Sequence, residues 1–173
     1  IQDIVINSDN KLGLKFSVVV ENEDGQNKLS LKLLGQWLGT KSEFDNLIAP
    51  VLLIEEPTQS VVYETNYWEG QDFISVEGEK EYSHERSNFI SGQLSIDAIR
   101  TIINNLNNWP QTNKSAQWKY FLLGGEIDKK LITDMAFIHR GYTMLSSIDL
   151  EWNENDTDSN IALNEQWSNK FHN

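Results

Sequence analysis

The chain has 173 residues, of which 39% are hydrophobic and 10% aromatic, and this is enough to build one globular core. Its 26 acidic and 14 basic residues give a formal charge of -12, which disfavours nucleic acid and anionic membrane surfaces as partners. The absence of cysteine excludes disulfides, thiolate metal sites and cysteine nucleophiles. We therefore expect a single domain over residues 1–173 that binds neither nucleic acid nor a membrane.

The chain opens with a helical segment and a β-hairpin. Apolar residues at helical spacing occupy the segment 1–8 and stop at a polar loop. Two runs that alternate apolar and polar residues follow, over 11–20 and 28–34. Asp24 and Gly25 lie between them, and glycine tolerates the positive φ that a tight hairpin turn requires. The pattern predicts two antiparallel strands.

Two helices are predicted after the hairpin. Thr40 and Glu43 have the spacing of a capping box, and Pro50 ends or kinks the helix that they begin. The segment 63–73 predicts a short helical turn that packs Trp68 and Phe73. The charged run 77–86 that follows is typical of a solvated surface.

A stronger helix is predicted over 95–109. Ser95 is its cap and Pro110 its stop. Its buried stripe comprises Ile96, Ile99, Ile103 and Leu106.

Three strands and a last helix are predicted in the remaining sequence. The strands cover 117–123, 134–140 and 143–152, with glycines between them, and the pattern of 158–173 is helical. Strands joined by hairpins and interrupted by helices imply the α+β class, an antiparallel sheet with helices packed on one face.

Alternation along the last two predicted strands separates their side chains into two faces. His139 lies with other large residues on one face of 134–140, and Arg140 on the other. In the next strand the shared face carries polar groups, and it is either solvated or the wall of a binding cleft. That face comprises Thr143, Leu145, Ser147 and Asp149.

Few catalytic signatures are present. The sequence has no Walker-type loop and no dinucleotide fingerprint, and its three histidines lack zinc-site spacing, so we expect no metal site. Six tryptophans either form a platform for sugars or belong to the core. Asn113 and Asn155 lie in N-glycosylation patterns in polar segments, which favours a secreted protein.

Four segments in order resemble berberine-bridge-enzyme-like, FAD-linked oxidoreductases of the oligosaccharide oxidase type. The segment 122–152 resembles a stretch of that family with Gly-Gly, an apolar strand, Pro-His-Arg and a strand ending in tryptophan. Segment 35–52 resembles the family's pattern of a strand, Leu-Gly-Ser and a helix. Segment 63–73 resembles its Ser-Trp segment, and segment 84–99 its Lys-x-x-Ser stretch before a helix.

The resemblance implies that this chain is the substrate-binding domain of a secreted oxidase of carbohydrate or alcohol groups. FAD would be bound by a domain absent from this chain and located before Ile1, so no activity is expected from the chain alone. The implied partners are that FAD-binding half or a partner chain, a small carbohydrate, or a second copy of this chain. Tyr142 and Trp68 would line the substrate cleft with the polar face of 143–149, whereas His139 and Arg140 would brace a strand end.

The match has departures that support an alternative. Ile138 stands where the family has proline, and Ser147 where carbohydrate-oxidising relatives often have a glutamine that contacts substrate. Because serine is shorter and has no amide, recognition of a sugar hydroxyl through this position would change. The alternative is a non-catalytic binding, assembly or storage module derived from the same fold.

Overall fold

A five-stranded antiparallel sheet organises the computed structural model, which describes residues 1–8, 10–75, 82–111 and 115–171. The strand order across the sheet is β2-β1-β4-β5-β3, and each neighbouring pair is antiparallel. The strands are β1 (Leu12–Glu23), β2 (Gln26–Trp37), β3 (Tyr82–Ile90), β4 (Ser115–Leu122) and β5 (Met144–Trp152).

The hairpin between β1 and β2 forms where the sequence predicted it. Asp24 and Gly25 both have positive φ, 50° and 83°, as a two-residue turn that follows the strand twist requires. The side-chain oxygen of Asn22 accepts a hydrogen bond from the Gly25 amide at 2.9 Å. The turn therefore sets the register of the two longest strands.

The helices begin at the predicted caps. Thr40 and Glu43 form the capping box, since the Glu43 amide donates to the Thr40 hydroxyl at 3.3 Å and the Thr40 amide to the Glu43 carboxylate at 2.8 Å. This helix continues through Pro50 instead of ending there. The helices are α1 (Gln2–Asn7), α2 (Lys41–Leu52), α3 (Tyr67–Ile74), α4 (Ile96–Asn107) and α5 (Asp158–Ser168).

The hydrophobic core lies between one face of the sheet and helices α4 and α5. Trp109 follows α4, and its indole N–H donates to the Asn164 side chain at 2.9 Å. Trp167 lies on α5, and its indole N–H donates to the Asn105 carbonyl at 2.8 Å. The α+β prediction is confirmed, with the core covered from one side. The buried core residues are Val18, Val20, Leu106, Trp109, Ala116, Trp118, Tyr120, Met144, Ile148, Leu150 and Trp167.

Two predicted packing arrangements are wrong in part. Of the α4 stripe only Leu106 is fully buried, Ile103 is partly buried, and Ile96 is 67% exposed. Trp68 on α3 is 75% exposed and does not pack into the core as predicted. Both helical patterns are amphipathic, but periodicity does not show how much of a helix meets the sheet.

Two predictions of strands also need correction. Residues 134–140 form an irregular connection instead of a strand, because β4 and β5 pair directly and leave no neighbouring position for it. Conversely, the described part of the charged run 77–86 belongs to edge strand β3, paired with β5. Charged side chains are common on edge strands, where they oppose unwanted pairing.

In the described ranges no helix combines the length and the apolar character needed to cross a membrane. Among the same residues no group of histidine, aspartate or glutamate side chains is arranged to hold a metal ion.

Candidate substrate-binding face

The face of the sheet opposite α4 and α5 carries mostly polar side chains, and we call it the polar face. Side chains alternate along each strand, and the pairing register aligns them into rows across the sheet. The row at its centre, which we call the lysine–serine row, consists of Lys32, Ser17, Lys119, Ser147 and Ser87.

The rows on either side differ in character. Next to the lysine–serine row on one side lies an apolar and aromatic row with one lysine, and on the other side a row that carries two carboxylates. The face therefore changes from apolar to acidic along the strands. The apolar row is Leu34, Lys15, Phe121, Leu145 and Phe89, and the acidic row is Ser30, Val19, Gln117, Asp149 and Glu85.

An ion pair between Lys119 and Asp149 lies at the centre of the polar face, and both residues are buried. The Lys119 amine also lies 3.6 Å from the Glu85 carboxylate. Gln117 and Ser147 each donate a hydrogen bond to the Asp149 carboxylate at 3.3 Å. Burial raises the pKa of Asp149 more than the nearby Lys119 ammonium lowers it. The centre of this face is a connected network of charged and hydroxyl groups.

The structure brings together most of the predicted substrate-contacting residues. Leu145, Ser147 and Asp149 share the polar face of β5, as alternation predicted. Thr143 lies just before this strand, and its hydroxyl accepts a hydrogen bond from the Gly92 amide at 2.7 Å. Tyr142 packs at the same end, with its ring centroid 5.2 Å from that of Phe89 on β3.

Trp68 lies apart from this group. Its helix, α3, approaches β2, where Gln71 donates a hydrogen bond to Gln36 at 2.9 Å. Three strand spacings separate β2 from β5, which is about 14 Å. A ligand that touched both Trp68 and Ser147 would have to extend across the sheet.

His139 and Arg140 contact the chain around them. The His139 ring stacks on Phe89, with ring centroids 3.8 Å apart and an interplanar angle of 18°. Arg140 donates to the Lys130 carbonyl at 3.1 Å and to the His139 carbonyl at 2.8 Å. The stacking of His139 on Phe89 holds the 125–142 connection against β3, whereas Arg140 bonds within the connection itself. The structural role of these two residues stays a prediction.

The sequence interpretation missed several residues of the polar face. Lys119 and Gln117 lie on a strand that was predicted, and alternation from Trp118 gave the signal for their orientation. Their pairing with Asp149 depends on the register between β4 and β5, which local sequence does not specify. Glu85 was missed because its strand was taken for a solvated segment.

The two predicted glycosylation positions have different outcomes. Asn155 is exposed in the connection before α5, as an acceptor side chain must be. Asn113 lies outside the described residues.

Comparison with known proteins identifies the fold. No family model matches the chain. It is 32% identical over 124 residues to an uncharacterized FAD-linked oxidoreductase, YgaK of Bacillus subtilis (strain 168), a match that covers 70% of this chain and 27% of the relative. Berberine bridge enzyme from Eschscholzia californica superimposes with a TM-score of 0.75 at 16% identity, over 99% of this chain and 35% of that one. The chain resembles the berberine-bridge-enzyme-like FAD-linked oxidoreductases.

A sugar oxidase is among the similar structures. The xylooligosaccharide oxidase from Myceliophthora thermophila C1, in complex with xylobiose, matches with a TM-score of 0.70 at 16% identity, over 99% of this chain and 38% of that one. The chain therefore spans roughly a quarter to two fifths of the length of its berberine-bridge-enzyme-like relatives.

The described residues do not by themselves form a site for FAD. A dinucleotide pyrophosphate is usually held by a glycine-rich turn at a helix N-terminus, and the Gly124-Gly125 turn leads into a three-residue 3₁₀ helix. Four helices begin at side-chain caps, each of which accepts a hydrogen bond from one or two amides of the first turn: Thr40, Asn66, Ser95 and Thr157.

Proposed function

We propose that this chain is the substrate-binding portion of a secreted FAD-linked oxidoreductase that oxidises carbohydrate or alcohol groups. The polar face is the surface that meets the substrate. The observation that carries this proposal is the hydrogen-bonded network of Lys119, Asp149 and Ser147 on the face opposite the helix-covered core. Burying a lysine and a carboxylate costs free energy, which their ion pair and the hydrogen bonds to Asp149 offset here.

The polar face offers the groups that a hydroxyl-rich ligand needs. Ser87 is exposed beside Ser147 in the lysine–serine row. Gln117 carries a side-chain amide in the neighbouring acidic row. The apolar row supplies Phe121, on which the apolar side of a sugar ring or an aromatic alcohol packs. Asp149 fixes the positions of the Lys119 amine and the Ser147 hydroxyl.

FAD and the remaining partners would come from outside the described surface. Apolar side chains along 52–73 are exposed, among them Leu53 at 87% and Ile54 at 80%. We assign this surface to the FAD-binding half or a partner chain, with a second copy of the chain as the other occupant. The exposed Asn155 is the glycan acceptor expected of a secreted protein.

One observation favours a second function, a non-catalytic binding, assembly or storage module. The Ser147 hydroxyl is engaged by Asp149, and Ser147 is only 2% exposed. The Asp149 carboxylate is in turn opposed by Lys119. Because the Ser147 hydroxyl and the Asp149 carboxylate are already paired, neither is free to take a proton from a substrate. This favours a module that binds a ligand without reacting with it.

The intact protein that carries this chain distinguishes the two functions. The oxidoreductase should show flavin absorbance in the visible range and release hydrogen peroxide when a neutral oligosaccharide such as xylobiose is added in the presence of oxygen. Added catalase should remove the peroxide signal and leave the flavin spectrum unchanged. Absence of flavin absorbance would overturn the proposal, and flavin without peroxide from any saccharide or alcohol would favour the binding module.

A further inference from the structure

A cleft of about 370 Å³ lies on the polar face over strands β1, β2 and β4. Lys15, Ser17 and Lys32 line one end, and Glu21 and Glu151 line the other. The cleft is therefore positive at one end and negative at the other.

The two lysines of the positive end differ from the other lysines of the polar face. Lys119 pairs with Asp149, and Lys28 pairs with Glu23 at 2.6 Å. No carboxylate of the described residues lies within ion-pair distance of Lys15 or Lys32. The Lys15 amine instead lies 5.6 Å from the centroid of the Phe121 ring.

Ser17 lies between these lysines at the floor of the cleft. It is directly opposite Lys32 in the β1–β2 register, and Lys15 precedes it on the same face of β1. Ser17 is only 4% exposed, and among the described residues its hydroxyl has no hydrogen-bond partner. Because Ser17 lines the cleft, its hydroxyl is available to a group that enters the cleft.

We propose that Lys15, Lys32 and Ser17 bind an anionic group, a carboxylate or a phosphate, carried by a polyhydroxylated ligand. Two ammonium groups without acidic partners attract the charge, and the Ser17 hydroxyl donates a hydrogen bond to it. The rest of the ligand extends along the polar face toward Gln117 and the Lys119–Asp149 pair. This inference rests on the proposed function, because it names the charge of the substrate that the polar face accepts.

The test is calorimetric binding of three related sugars to the intact protein: D-glucuronate, glucose 6-phosphate and glucose. At least one of the two anions should bind more tightly than glucose, and the tighter anion identifies a carboxylate or a phosphate site. Lys32→Gln should weaken binding of that anion by about tenfold, as expected for loss of one charged hydrogen bond, and leave the affinity for glucose unchanged.

Lys28→Gln is the matched control, because Lys28 lies on the same strand and face but already pairs with Glu23. It removes the same charge and should leave anion binding within about twofold of the original value. Equal affinity for all three sugars, or equal weakening by the two substitutions, would overturn the inference. Binding of the anion through Lys32 with no peroxide release would instead count against the proposed function alone.

Discussion

Replacing Trp167 with alanine should lower the free energy of unfolding by about 3–5 kcal/mol. Trp167 is 3% exposed, and its ring meets Phe171 edge-on with centroids 5.2 Å apart. Its indole N–H also donates to the Asn105 carbonyl, which would be left without this partner. Urea unfolding followed by circular dichroism measures the change.

Trp68→Ala is the control for this substitution. The same side chain is removed, but Trp68 is 75% exposed and lies on a helix with no buried residues. Its expected cost is within about 0.5 kcal/mol. Similar losses for the two variants would contradict the assignment of the core to the α4–α5 side of the sheet.

Lys119→Met should destabilise the protein by about 3–5 kcal/mol at neutral pH. The substitution leaves the Asp149 carboxylate buried without its opposing ammonium group. Combining it with Asp149→Leu should recover most of the loss, since no uncompensated charge then remains. Denaturant unfolding of the two single variants and the double variant gives the coupling free energy directly.

The same substitution should change the dependence of stability on pH. Burial already raises the folded-state pKa of Asp149 above 3.8, and removing Lys119 should raise it further. For a carboxyl group with a raised pKa, stability is full below the unfolded pKa and falls as pH rises through the folded pKa. Lys119→Met should therefore lose stability more steeply above pH 3.8 than the original protein.

Lys28→Met serves as the control for charge removal. Lys28 and Glu23 form an exposed ion pair, with side chains 63% and 64% exposed. Loss of such a pair costs no more than about 1 kcal/mol. An effect of Lys119→Met as small as this one would show that the Lys119–Asp149 pair is solvated.

Several elements were predicted correctly because their signals lie within a few residues of each other in the sequence. Asp24 and Gly25 encode their own turn, because the positive φ that they adopt is a property of these two residues. Thr40 and Glu43 likewise satisfy each other within one helical turn. Alternation from Thr143 to Asp149 gave the two faces of β5, since a strand that covers a core must alternate.

Features that depend on distant residues could not be predicted. The apolar stretch 134–140 has the composition of a strand, but β4 and β5 pair directly with each other and leave no place between them for another strand. Strand β3 forms by pairing with β5, which lies several elements later in the chain. Its own charged residues indicated a solvated surface segment instead of a strand. The Lys119–Asp149 pair depends on the same long-range register.

The most direct test of the polar face as the substrate surface is the KM of the intact protein after blocking each face of the sheet. Ser87→Trp places a large ring on the polar face opposite Ser147 in the β3–β5 register. Leu31→Trp places the same ring on the other face, where Leu31 is 55% exposed. We expect Ser87→Trp to raise KM for the oxidised saccharide by about tenfold or more, and Leu31→Trp to leave it within about twofold. Equal KM values for the two variants would contradict the account.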